Sequence, residues 1–349
     1  MAIDLMTKYP DKLTKEFEYA SVISGKTSDE YKFDGAERIK LISLDTQPLN
    51  NYNRNASANR YGTPAEMQDT VQYIELDKDR SYSIPVDKGN FIEGNYLKTA
   101  GAVFEEQLNG VVAPEMEQDF FLKICGNAGV VHADSAPSAA TILARIAAIE
   151  AAMRNARAPK QNRFVAVPTS ILQLFRTSLT NCDGITDKLL LQGIVGRFGT
   201  LMVLEIADSD VPSGVHLVAW QKRAAVFAKT IDEVTVHKKP QGISGILNEG
   251  RFRWGGGVVG KYAGATYVDC TTAARQADPS ISNAGAITVG TSSDYTLYTL
   301  DGSDPRYSST AVKITSGTTP VHTAGDTIKA ASYKAGLVVS AVVTKVTTS

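Results

Sequence analysis

Four histidines, His132, His216, His237 and His322, and three cysteines, Cys125, Cys182 and Cys270, are the side chains best suited to metal binding or nucleophilic chemistry. Their spacing supports neither. The histidines are far apart, without the H-x-x-E-H or related spacing that sets two ligands on one helix face. The cysteines are odd in number and widely spaced, which argues against a disulfide framework or a thiolate zinc site; they read as buried thiols made in a reducing cytoplasm. No G-x-S-x-G, G-x-G-x-x-G or P-loop pattern occurs. The triplet Gly255-Gly256-Gly257 is followed by neither Gly-Lys-Ser/Thr nor a helix, so a bend between two strands explains it. Asp208-Ser209-Asp210 reads as a solvated turn rather than a metal loop. Glu105-Glu106 and Glu115-x-Glu117 come nearest to an acid–base pair, but helical periodicity puts them mostly on a polar face. These patterns yield no catalytic residue, no metal site and no cofactor.

The element around which the chain is organised is a long helix from Asn90 to Gly126. Leu97, Phe104, Leu108, Val112, Met116, Phe120 and Ile124 recur at three- and four-residue steps and form one apolar stripe. Asn90 and Glu93 make a capping box at its start; Lys123 and Gly126 suit its negative end and a left-handed cap. Pro114 removes a backbone donor and crowds the carbonyl of Gly110, which predicts a kink there.

Lys+Arg 36 against Asp+Glu 37 leaves a formal net charge of -1 over 349 residues, so no global field draws the chain to nucleic acid or an anionic membrane. Met1–Lys15 has no apolar run and no segment approaches span length. The first residues, to Ala36, form a polar arm with Leu5, Tyr9, Leu13 and Phe17 at helical spacing. It has too little apolar surface to fold alone and must lie on the rest of the chain or on another chain. Strand patterns follow at Ile39–Leu44, Tyr73–Leu76 and Tyr82–Val86, with a hairpin turn at Asp77-Lys78-Asp79. Between the first two, residues 47–68 make a long loop rich in Asn, Arg and Tyr, a composition that suits protein contact. A helix from Ser138 to Arg157, strands at Phe164–Pro168, Leu201–Ile206 and His216–Trp220, and a helix through Ile171 and Leu179 make an α/β unit. Strands at Leu247–Trp254 and Val258–Asp269 return around the glycines. After Ala286 the composition turns to Thr, Ser, Val and Gly, with short strands at sandwich spacing that define a separate β-domain.

The order of these elements, with Tyr82-Ser83-Ile84-Pro85-Val86-Asp87-Lys88-Gly89-Asn90-Phe91 entering the long helix and Asn248-Glu249-Gly250-Arg251-Phe252-Arg253-Trp254-Gly255 returning, resembles the major capsid protein of tailed bacteriophages, the Hong Kong 97-type fold. The resemblance covers about the first 270 residues. Further on, Tyr298-Thr299-Leu300-Asp301-Gly302-Ser303-Asp304-Pro305 and Ile328-Lys329-Ala330-Ala331-Ser332-Tyr333 are similar to the immunoglobulin-like C-terminal domain of chitobiase-type enzymes, a module also fused to structural proteins. The resemblance implies an α+β fold with an N-terminal arm (1–36), an extended loop (37–88), a peripheral domain with a spine helix (89–137 and 240–270) and an axial domain (138–239). A linker (271–283) and an immunoglobulin-like β-sandwich (284–349) follow.

What it implies for function is a structural, non-enzymatic subunit that self-assembles into the icosahedral head enclosing viral DNA. Its partners would be copies of itself in hexamers and pentamers, a separate scaffolding protein and a portal, with DNA touched only non-specifically and no membrane. The location would be the virion, assembled in the host cytoplasm. Arg54, Arg60, Tyr61 and Lys78 are the assembly candidates; Leu97, Phe104, Leu108, Phe120 and Ile124 are the spine-helix core. The Lys, Asn and Glu of capsid crosslinking cannot be matched, and the start at Met1 suggests that no scaffolding segment is cut away. The alternatives are a bacterial nanocompartment shell and a polysaccharide-acting enzyme with an accessory sandwich, which needs two carboxylates in a cleft. The β-domain is expected on the outside of the shell, dispensable for building it.

Overall fold

The computed structural model describes residues 21–31, 37–64, 66–67, 69–89, 100–176 and 194–348. Leu97, Cys182, the capping residues Asn90 and Glu93 and the helical pattern from Leu5 to Phe17 lie outside them. The fold is α+β and mostly sheet. Its centre is a six-stranded mixed sheet of β4 (Val130–Ala133), β5 (Arg163–Pro168), β6 (Ile194–Phe198), β7 (Leu201–Ile206), β8 (Val215–Gln221) and β11 (Thr266–Cys270), in the order β4-β11-β8-β5-β7-β6. Strand alternation sorts its side chains into two cores. Phe164, Ala166, Val218, Trp220 and Val268 face one way and pack on Phe120, Phe121 and Ile124 of the long helix. Val165, Val167, Leu217 and Ala219 face the other way, onto Ile142, Ile146, Ile149 and Met153 of α3 (Ile142–Asn155) and Leu172 of α4 (Thr169–Arg176). Runs such as Phe-Val-Ala-Val are apolar throughout because both faces are covered.

The long helix has three parts: α1 (Ala100–Gln107), a π-helical turn (Leu108–Val112) and α2 (Ala113–Gly126). The widened turn sits where Pro114 was expected to disturb the helix. Pro114 cannot donate to Gly110, and the Ala113 amide reaches back five residues to the Leu108 carbonyl instead. Gly126 does not take the left-handed cap expected of it; Asn127 closes the helix with φ -133°.

Beside the helix lies an antiparallel sheet of β3 (Lys78–Asp87), β10 (Gly245–Val258) and β9 (Ala225–Lys238), with β10 central. β10 runs through the glycine triplet, which corrects the expected strand–bend–strand. A Cβ on Gly255 would meet the Glu75 carbonyl at 2.5 Å, so the glycine serves close backbone approach rather than bending. β1 (Arg38–Leu44) and β2 (Asp69–Glu75) form a two-stranded hairpin. Because β2 pairs with β1 and β3 with β10, Asp77-Lys78-Asp79 is a corner between sheets and not a hairpin turn.

The C-terminal region holds a ribbon of β12 (Ser280–Ile281) and β13 (Ile287–Thr288) and an antiparallel sheet of β14 (Tyr295–Thr299), β15 (Val312–Ile314), β16 (Thr327–Tyr333) and β17 (Val343–Val346). Tyr298, Ile328 and Ala330 pack on Ile287, while Ala331 and Tyr333 pack toward Val131 of β4. Two expectations change here. Residues 271–283 are not a free tether: Arg275 bridges to Val338, the Gln276 amide donates to the Val338 carbonyl at 2.9 Å, and Gln276 is buried. Nor is the region separate, for Tyr307 and Val338 belong to the same core as Phe121 and Trp220.

Candidate assembly surfaces

The β1–β2 hairpin is anchored along one face, and Lys261 Nζ also donates to the Leu44 carbonyl at the far end of β1 at 3.3 Å. Leu41, Ile74 and Leu76 are buried against Val226 and Val259. The Gln72 carboxamide donates to the Val258 carbonyl at 2.7 Å and accepts the Gly260 amide at 2.8 Å. On the opposite face Ile42 and Leu44 are exposed, and along the loop Leu49, Tyr52, Tyr61 and Met67 are exposed as well, Leu49 completely at 100%. Such a run of apolar side chains in water favours burial against another surface.

The tip of the loop is ordered by its own turn chemistry. The Asn53 amide donates to the Arg60 carbonyl at 3.0 Å and the Gly62 amide to Asn59 at 2.9 Å. Asn59 and Gly62 take positive φ, as Asn and Gly most readily do. Tyr52 and Tyr61 meet edge to face at 5.0 Å, and Arg60 Nε donates to the Ala56 carbonyl at 2.9 Å. The tip therefore gathers Arg54, Arg60 and Tyr61. Lys78 lies elsewhere, at the hairpin's exit, 3.8 Å from Asp119 on the spine helix. Asp119 also accepts from Trp254 Nε1 at 3.2 Å and pairs with Lys123 at 3.0 Å, and Lys123 pairs in turn with Asp77. The corner is thus tied to the helix by charges.

The spine-helix core divides in two. Phe120 (2% exposed) and Ile124 (1%) are fully buried, with Phe120 5.4 Å from the Trp220 ring. Phe104 and Leu108 are half-buried beside Phe252 and Trp254. Glu117 does not lie on the polar face expected of it. It is fully buried and accepts the backbone amides of Val22 and Ile23, with Lys26 close enough to act on it by charge. Burial holds the Lys26 ammonium below its ordinary value, partly offset by Glu117. Val22 and Ile23 enter the main core, Trp220 Nε1 donates to the Lys26 carbonyl at 3.0 Å, and the Ser28 amide donates to Ala225 at 2.8 Å. The arm therefore docks on its own chain over residues 21–31.

One cluster was invisible in the sequence. His132 Nδ1 lies 2.6 Å from Asp269 Oδ1, while Asp269 Oδ2 accepts from Arg145 Nη1 at 2.9 Å. Arg145 Nη2 also donates to the Ser135 carbonyl at 2.7 Å. A His–Asp pair suggests general-base chemistry, but here the arginine takes the second carboxylate oxygen, and the three side chains tie β4, β11 and α3 together. Nearby, burial holds the His216 imidazole below its ordinary value, only partly offset by Asp269. Among the described residues no group of three or more His, Cys, Asp or Glu side chains is placed to hold a metal, and no helix is long and apolar enough to cross a membrane.

The arrangement of a central sheet between helices, a long interrupted helix laid across a three-stranded sheet and a projecting hairpin is shared with solved phage structures. A solved chain from Mycobacterium phage Che8 superposes with a TM-score of 0.62 at 18% identity, over 77% of this chain and 98% of that one. The capsid structure of the cyanophage P-SCSP1u gives 0.57 at 12% identity, over 76% and 93%. The mature capsid of bacteriophage PhiM1 gives 0.56 at 13%, over 77% and 92%. No family model and no curated protein matches the chain.

Proposed function

We propose that this chain is the shell subunit of a tailed-phage head: a structural, non-enzymatic protein that assembles with copies of itself into a closed icosahedral container for viral DNA. The observation that carries the reading is the superposition over almost the whole length of solved phage chains, two of them from capsid structures. The exposed apolar hairpin supports it, because that surface gains by burial on a neighbouring copy. In this reading residues 21–31 belong to the N-terminal arm and the hairpin with Arg54, Arg60 and Tyr61 is the extended loop. The spine helix with β4, β10 and β11 (89–137 and 240–270) forms the peripheral domain, and α3, α4 and β5 to β9 (138–239) form the axial domain. The subunits form hexamers and pentamers; a separate scaffolding protein and a portal complete the head, DNA is touched non-specifically, and assembly takes place in the host cytoplasm. The C-terminal sheet and its β12–β13 ribbon are an immunoglobulin-like sandwich on the outside, since a domain inside every subunit would take volume from the packaged DNA. Negative-stain microscopy of the purified protein tests the reading. Uniform closed shells are expected, and a monodisperse monomer under all assembly conditions would overturn it.

A further inference from the structure

We propose that the C-terminal region is an internal clamp, in which Arg306 and Tyr307 cap the spine helix and the adjoining loop holds the hairpin, so that presentation of the hairpin requires this region. The clamp is a property of the single chain; only its consequence for shell building rests on the function proposed above.

A helix leaves its last carbonyls without intrahelical donors, and its end carries partial negative charge. The spine helix meets only part of this need locally: Asn127 donates its side-chain amide to Lys123 at 3.1 Å and its backbone amide to Ile124 at 3.1 Å. With no left-handed glycine cap, the carbonyl of Cys125 in the last turn and those of Asn127 and Ala128, the two residues that follow Gly126, are met from the C-terminal region. The Val339 amide donates to the Cys125 carbonyl at 3.2 Å, the Tyr307 hydroxyl to Asn127 at 2.6 Å and Arg306 Nη1 to Ala128 at 2.6 Å. A guanidinium is well matched to this helix end, and it is held there. Asp304 takes Arg306 Nη2 at 2.7 Å and Nε at 3.0 Å, leaving the arginine side chain only 9% exposed.

Tyr307 is itself buried, and burial raises its phenol well above the ordinary value, so it remains a donor. Gly260 makes room for it: a Cβ there would stand 2.5 Å from the Tyr307 Cβ. Immediately after Tyr307 the Ser309 amide donates to the Val71 carbonyl of β2 at 2.8 Å. One short segment, 304–309, thus grips both the end of the spine helix and the root of the hairpin. A surface appendage would leave Arg306 and Tyr307 in water and make no such contacts.

The test is amide exchange on full-length Arg306→Ala and Tyr307→Phe. In Arg306→Ala, exchange over 69–75 and 123–128 should rise roughly tenfold or more, as loss of a charge-assisted bond implies, while β14 and β16 stay protected as in the parent. Tyr307→Phe should show a smaller rise over 123–128, and it decides the matter if the alanine variant does not fold. Unchanged exchange over both segments would overturn the clamp. Microscopy of the same samples tests the consequence: Arg306→Ala should form few or no closed particles under conditions where the parent forms them. Normal particles despite raised exchange would refute the link to assembly. Absence of particles from the parent would count against the shell reading alone, with the exchange data still judging the clamp.

Discussion

Replacing Glu117 by Ala should release the arm without unfolding the protein. The carboxylate is fully buried and accepts two backbone amides, Val22 and Ile23, beside a Lys26 that is only 5% exposed. Removing it with the arm still docked would leave two buried amide donors without their acceptor and take the negative charge away from the buried Lys26 ammonium, a cost of about 3–5 kcal/mol. The main gain from docking is the burial of Val22 and Ile23, about 1.5–3 kcal/mol each before the entropy of ordering the segment is subtracted. The two magnitudes are close, so the cheapest response is local: the arm detaches and returns Lys26 to water, and the penalty is capped at the docking free energy. Trypsin should then cut at Lys26 in Glu117→Ala and spare it in the parent, with amides 22–28 exchanging faster and the melting temperature little changed. Glu117→Gln keeps an acceptor but loses the charge, so its protection should fall between the two. A trypsin-resistant arm with parental exchange in the alanine variant would show that Glu117 does not anchor it.

Phe120→Ala should cost about 3–5 kcal/mol in urea unfolding, whereas half-buried Phe104 should cost clearly less; equal losses would mean that the stripe is assigned to the wrong depth. Deleting Asn50–Gly62 should leave a folded monomer by circular dichroism that makes no shells, and parental particles from the deletion would sink the assembly role of the tip. His216 should make the fold acid-sensitive. Its folded pKa is lowered by burial, with Asp269 and Arg145 facing it, so the unfolded chain binds the proton first as pH falls through about 6.5, and stability drops below that pH. In His216→Gln the decline from neutral pH to pH 5 should be shallower, and an identical pH profile would refute the assignment.

Local periodicity made the central sheet and its helices legible. Phe164–Pro168 and Leu201–Ile206 are short apolar runs that only a doubly covered strand tolerates, and Ile142, Ile146, Ile149 and Met153 have one helical reading. Pro114 marked its own disturbance because the missing donor is a local fact. What failed was long-range pairing. Glu117 follows the period of a polar face, and nothing near it in sequence announces that the amides of residues 22 and 23 will meet it. His132, Arg145 and Asp269 form one cluster only because β4 and β11 pair in parallel.

The segment from Asp301 to Pro305 is a turn of residues suited to one: Asp301 accepts the Ser303 amide at 2.9 Å and Gly302 takes φ 72°. Its consequence lies two residues further on. Asp304 accepts the Arg306 amide at 3.0 Å as well as its guanidinium, so the same turn chemistry that ends a strand also aims Arg306 at Ala128. Turn residues are usually read as connections, because their hydrogen bonds close locally. Here the local bonds fix the direction of a side chain whose partner is a carbonyl just past a helix end, 178 residues away. A region that looked removable by composition is therefore fastened by its turn to the core it follows, and cutting the chain after Asp278 would uncover the carbonyls of Cys125, Asn127 and Ala128 together with the pocket that holds Tyr307.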